Sequence, residues 1–133
     1  MATYNSITDA VSGNQVRYHD IVTTDTSPTL AWSMALEPNA SVHVGIRVIV
    51  TAQPEGTRTC LARDFVVYRN GYSNAEILGN ILVPYPVFKQ PGEYVGDVDI
   101  VVLGNSVYLY VIAEEDYAQN LKWIIEISAL RTR

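Results

Sequence analysis

An all-β fold, an antiparallel two-sheet sandwich or jelly-roll-like arrangement of about eight strands, is what this sequence predicts. Three observations carry that expectation. Runs rich in Val, Ile and Tyr alternate with a period of two along most of the chain. Short Pro-, Gly- and Asn-containing turns separate them. No segment has the periodicity of a long amphipathic helix.

The elements follow in order. Residues 1–15 are polar, with sparse apolar positions at Tyr4, Ile7 and Val11. Ile7, Ala10 and Val11 are spaced for one helical turn that Ser6 or Thr8 could cap, too short to stand alone. The segment reads as a frayed start or as an extended N-terminal arm, with Tyr4, Ile7 and Val11 as its contacts to a neighbour. Residues 16–133 then form one β-sandwich domain. Val16 to Thr24 is a first strand, ended by Asp25-Thr-Ser-Pro28. Thr29 to Leu36 alternates, placing Leu30, Trp32, Met34 and Leu36 on one face.

Val42-His-Val-Gly-Ile-Arg-Val-Ile-Val-Thr-Ala52 and Arg58-Thr-Cys-Leu-Ala-Arg-Asp-Phe-Val-Val-Tyr-Arg69 form a hairpin across Gln53-Pro-Glu-Gly-Thr57. Glu76 to Val83 is a shorter strand, after which Pro84-Tyr-Pro86 forces an extended path unsuited to a central strand. Asp97 to Leu103 and Val107 to Ala113 make a tight hairpin about Gly104-Asn-Ser106. Leu121 to Leu130 is the last strand.

Composition bounds the function. A chain of 133 residues can bury a real core without disulfides or metals. Charged residues are 17% of it, against roughly 25% in ordinary soluble domains, which favours a surface covered by partners. The net charge is −5 and the nine basic residues are scattered, so no nucleic-acid footprint is expected. No apolar stretch approaches the roughly 20 residues of a membrane helix. The single cysteine, Cys60, excludes an intrachain disulfide and a cysteine-based zinc site. The start, Met-Ala-Thr-Tyr, lacks a secretory signal, so synthesis in a reducing cytoplasm is expected. For the same reason the sequon Asn39-Ala-Ser41 carries no weight.

Two strands are apolar on both faces. Val107, Leu109 and Val111 alternate with Tyr108, Tyr110 and Ile112, and Ile124 and Ile125 adjoin Trp123. An antiparallel sheet normally turns one face to water, so Tyr108, Tyr110, Ile112 and Ile124 are expected at a subunit interface. Packing under a loop of the same chain is the alternative. Nine tyrosines are present, and Tyr72, Tyr85 and Tyr94 fall in loops where a ring can stack on a ligand.

Reaction chemistry finds little footing. His43, Cys60 and Asp64 lie on one hairpin, but a nucleophile needs its base on a matching face. Glu114-Glu-Asp116 and the pair Asp97/Asp99 gather carboxylates without the ligand spacing of a calcium loop, and read as solvated acidic residues. No separation for a glycosidase pair is readable. There is no phosphate-binding glycine loop and no zinc-protease motif. No catalytic residue, metal ligand or cofactor is expected, and the chain reads as no enzyme.

From Thr29 onward the order of features resembles small β-sandwich modules of bacteriophage virion structural proteins. The strand ending Val50-Thr-Ala52, the Gly56 turn, Arg63-Asp-Phe-Val-Val-Tyr-Arg69-Asn-Gly71, Asp97-Val-Asp-Ile-Val-Val102, Leu109-Tyr-Val111 and Lys122-Trp-Ile-Ile-Glu-Ile127 carry that resemblance. It implies a virion structural component, made in the bacterial host cytoplasm and assembled as a homo-oligomer, commonly a trimer. Its first form would be a capsid decoration (cement) protein bound to the major capsid protein or other virion proteins. Its alternative is a head or tail fibre component, or a receptor-binding module that touches host glycans.

Overall fold

The computed structural model describes residues 15–52, 56–84, 87–90, 94–114 and 120–132, with backbone alone for 15–18, 88–90 and 132. The predicted arm, with Tyr4, Ile7 and Val11, lies outside the described residues. The strands are β1 (Gln15–Thr23), β2 (Thr29–Ala35), β3 (Ser41–Ala52), β4 (Arg58–Arg69), β5 (Ala75–Ile77), β6 (Phe88–Gln90), β7 (Gly96–Leu103), β8 (Ser106–Ala113) and β9 (Leu121–Thr132). The all-β antiparallel sandwich is therefore the observed fold. No helix occurs among the described residues.

The larger sheet has the order β1-β9-β3-β4-β5, with β6 also pairing β4, and the smaller sheet is β2-β8-β7. All their pairings are antiparallel. β3 is the spine because its alternation is the cleanest: Val42, Val44, Ile46, Val48, Val50 and Ala52 all turn inward and are buried. They meet Leu61, Phe65 and Val67 of β4 and Leu121, Trp123, Ile125 and Ile127 of β9 in the same cluster. Val107, Leu109, Val111 and Ala113 of β8 close that cluster from the smaller sheet.

Trp123 sits at the centre. It is fully buried, and its Nε1–H donates to Thr23 Oγ1 at 2.9 Å, which satisfies the one polar atom of the ring. Gly96, at the start of β7, lies against the ring; a Cβ added there would stand 2.4 Å from Trp123 Cη2. The crossing into β7 is pinned by the buried Thr59, whose Oγ1 accepts from Val95 N at 3.0 Å. The β7–β8 hairpin turns on Gly104 and Asn105, with Gly104 at φ 61, as a two-residue hairpin turn requires.

Two sequence expectations are corrected here. Leu30 does not share a face with Trp32 and Met34. The pairing of β2 with β8 shifts between Leu30 and Trp32, so the extra residue turns Leu30 outward opposite Tyr110. The strand expected over Glu76 to Val83 shrinks to β5, because Gly79 at φ 72 breaks the extended path. Beyond it Leu78 N donates to Val66 O, and Leu82 rejoins β4 through a bridge to Asp64. The edge of β4 is thus covered by short pieces, an arrangement that limits further pairing there.

Candidate functional site

Three surfaces of the sandwich carry outward-facing residues that the core does not explain. The first is the outer face of the smaller sheet. Tyr108, Tyr110 and Ile112 alternate with the buried Val107, Leu109 and Val111, so they point outward and are half-buried. Across β8, Tyr110 stands opposite Leu30 on one side and Asp99 on the other, while Tyr108 stands between Ser33 and Val101. Asp97 faces Ile112 on this surface, and its Oδ1 accepts from Arg63 Nη2 at 3.4 Å and from Val98 N at 2.7 Å.

The second surface is the outer face of the larger sheet, and Ile124 belongs to it. The four residues expected at one interface therefore divide between opposite faces of the sandwich. On β9 the inward positions are Trp123 and Ile125, which leaves Ile124 outward beside Ile49 of β3. Val22 (63% exposed), Ile49 (45%), Ile124 (42%) and Leu130 (50%) make this face unusually apolar for an exposed sheet. Two polar pairs cross its strands: Arg47 Nε donates to Glu126 Oε1 at 2.5 Å, and His43 Nε2 hydrogen-bonds Asp64 Oδ1 at 2.6 Å. Cys60 is opposite Ile49, two residue pairs beyond the level of Arg47 and away from His43, so no nucleophile–base arrangement forms with that histidine.

The third surface is one end of the sandwich. Arg69 closes β4 and holds three carbonyls: Nε donates to Ser73 O at 2.8 Å, Nη1 to Leu36 O at 3.0 Å and Nη2 to Tyr72 O at 3.4 Å. Asn39, in a left-handed conformation at φ 63, accepts from Gly71 N through Oδ1 at 2.8 Å. Leu36 N donates to Asn105 O and Ala75 N to Gly104 O, which ties the β7–β8 turn to the same end. Tyr72 projects from this braced loop, 86% exposed, with the Arg69 guanidinium 5.8 Å from its ring centroid. A ring held this way offers a rigid stacking face to a ligand or partner. Arg69→Ala is expected to cost about 1–3 kcal/mol, since three carbonyls lose a charged donor. Faster amide exchange over residues 70–75, measured against the unchanged β3, would report the loosened loop.

Tyr94 sits at the opposite end, just before β7, and that eight-residue strand separates it from the Tyr72 end by roughly 25 Å. Tyr72 and Tyr94 therefore do not converge on one site. Tyr85 lies outside the described residues, as do residues 115 and 116 of the acidic turn, while Glu114 is exposed. Among the described residues no group of three or more His, Cys, Asp or Glu could hold a metal ion.

Sequence reasoning missed Ile49, Val22 and Leu130. The signal was present in β3: Ile49 shares its parity with His43 and Arg47, an apolar residue on the charged side of the strand.

No protein-family model and no curated protein matches the chain. Among solved structures, it is similar to the tailspike protein of Acinetobacter baumannii phage AM24, with a TM-score of 0.55 at 6% identity, over 88% of this chain and 26% of that one. A second is the tailspike protein gp49 of Acinetobacter baumannii bacteriophage Fri1, with a TM-score of 0.45 at 12% identity over 97% of this chain and 19% of that one. That second protein is described as a capsular polysaccharide depolymerase, and the expectation that the chain is no enzyme is withdrawn. Missing motifs in these residues do not exclude a part in such a protein. This chain spans about a quarter or less of either tailspike, and it shares its fold with part of the AM24 tailspike.

Proposed function

We propose that this chain is a β-sandwich module of a bacteriophage tail adhesion apparatus, of the tailspike type, carried on the virion. The observation that supports the reading is the shared fold with the AM24 tailspike over 88% of this chain. The resemblance in the sequence put capsid decoration first and a fibre or receptor-binding component second. The AM24 neighbour is a tailspike protein, so the second reading takes the lead.

The surfaces suit that role. A braced loop presents Tyr72 at one end, and two broad sheet faces can pack against copies of the chain or against other virion proteins. Depolymerisation of a capsular polysaccharide is the activity to assay in the virion protein that carries the module.

Adsorption tests the reading. Antibodies raised against the folded chain should slow attachment of the phage to its host by about tenfold or more. Unchanged adsorption with antibody bound to the virions would refute a tail adhesion role and return the module to the capsid.

A further inference from the structure

We propose that the braced end carrying Tyr72 is a sugar-contact site, where the free face of that ring stacks on the C–H face of an uncharged sugar in a host surface glycan. The inference deepens the tail adhesion reading and rests on it. A sugar ring presents a side of C–H groups and a rim of hydroxyls. It therefore needs a flat apolar surface set beside groups that both donate and accept hydrogen bonds.

The loop after β4 supplies both. Its sequence, Asn70-Gly-Tyr-Ser-Asn-Ala75, contains no acid and no base. The Arg69 guanidinium lies toward the Tyr72 ring, 5.8 Å from its centroid, and the side chain is still 86% exposed. A cation already at the ring disfavours a second one, so the open face suits an uncharged ligand. Asn70 and Asn74 flank Tyr72 in the chain and are exposed, and each amide donates and accepts as a sugar hydroxyl does.

Rigidity sets this tyrosine apart from an ordinary exposed one. Ser73 N donates to Asn70 O within the loop, while Gly71 N and Ala75 N donate to Asn39 Oδ1 and Gly104 O of neighbouring turns. Together with the three carbonyls held by Arg69, these bonds fix the backbone on both sides of the ring before a ligand arrives. Contact on a preorganised loop loses little ordering entropy, and a tyrosine has only two side-chain torsions to fix. A protein anchor would sit in packed, dehydrated surroundings, whereas the loop neighbours of Tyr72 are amides, a hydroxyl and a glycine. An anionic ligand is disfavoured too, since Nε and both Nη groups of Arg69 already donate to carbonyls. One ring and two amides make a weak contact, which a repeating polysaccharide strengthens by meeting several copies on a virion.

The test titrates the full 133-residue chain, labelled with ¹⁵N, with oligosaccharide fragments of the host's capsular polysaccharide. Amide shifts should concentrate in residues 69–75. Tyr72→Ala should weaken binding by about tenfold, while Tyr72→Phe, which keeps the ring, should stay within about twofold of wild type. Tyr94→Ala, at the opposite end, should bind as wild type does. Raising salt from about 50 to about 500 mM should change the affinity by less than about twofold, because no ion pair forms with the ligand. Equal binding by Tyr72→Ala and wild type would overturn the site, as would a wild-type chain that binds no fragment. A steep loss of affinity with salt would overturn it in favour of an anionic ligand. The tail reading is judged separately, by the antibody block of adsorption, so a failed site and a failed tail role are distinguishable. The amide spectrum of each variant verifies that it is folded.

Discussion

Val111→Asp is expected to unfold the domain, whereas Tyr110→Asp, one residue away, should leave it folded. Val111 is fully buried on the inner face of β8, paired with Thr29 and Val98 and packed in the core. A carboxylate placed there has no cation among the buried residues described, and an unpaired buried charge costs several kcal/mol. Lost packing of the valine adds to it, and the sum exceeds about 4 kcal/mol, a large share of a typical stability of about 5–15 kcal/mol. Tyr110 points the other way, opposite Leu30 and Asp99. Its replacement by Asp loses half-buried aromatic area and sets two carboxylates across a strand pair, an effect of about 1 kcal/mol. Urea denaturation followed by far-UV circular dichroism separates the two cases. A stable Val111→Asp variant would mean that the faces of β8 are assigned the wrong way round.

Trp123→Ala should cost about 3–5 kcal/mol, the range for removing a large aromatic side chain from a core. It also strands Thr23 Oγ1, which now accepts from the indole. The ring and Gly96 form a coupled pair. A methyl at residue 96 would sit 2.4 Å from Cη2 and 2.9 Å from Cζ2, with the Ile112 carbonyl oxygen 3.1 Å away. Gly96→Ala is therefore expected to destabilise by about 1–3 kcal/mol through overpacking. In the Trp123→Ala background that methyl enters vacated space. The double variant should then be more stable than the sum of the singles by about 1 kcal/mol or more. Additive effects in urea titrations would show that Gly96 does not carry the ring.

Much of this fold was legible because local pattern and final environment agree. β3, β4, β7, β8 and β9 begin and end within a residue or two of the alternating runs that predict them. Period-two burial leaves no other way to hide Val42 through Ala52. The misreadings are as physical. A single extra residue in β2 reverses the facing of Leu30 without altering composition, so no pattern within that strand reveals it. The failure of Glu76 to Val83 as a strand hinges on one left-handed glycine amid otherwise strand-forming residues. Strand order was beyond reach. β9 inserts between β1 and β3, a pairing of segments some 100 residues apart that local sequence does not encode.

The same distinction governs the surfaces. Outward orientation of Tyr108, Tyr110, Ile112 and Ile124 followed from alternation, but which of them share a face depends on sheet membership. β8 is in one sheet and β9 in the other, so residues alike in pattern end up on opposite sides of the molecule. The ladder of Ile124–Ile49 and Glu126–Arg47 becomes visible only once β9 is seen beside β3. The braced end around Arg69 is likewise tertiary, since it joins Leu36 and Asn39 of the β2–β3 connection to Gly71 and Ser73 of the β4–β5 connection.

Tail location is the central claim, and immunogold electron microscopy of intact virions tests it most directly. Antibody against the folded chain should place gold at the tail tip or its spikes, with bare heads. Gold spread regularly over the heads would contradict the account and establish a capsid decoration protein instead.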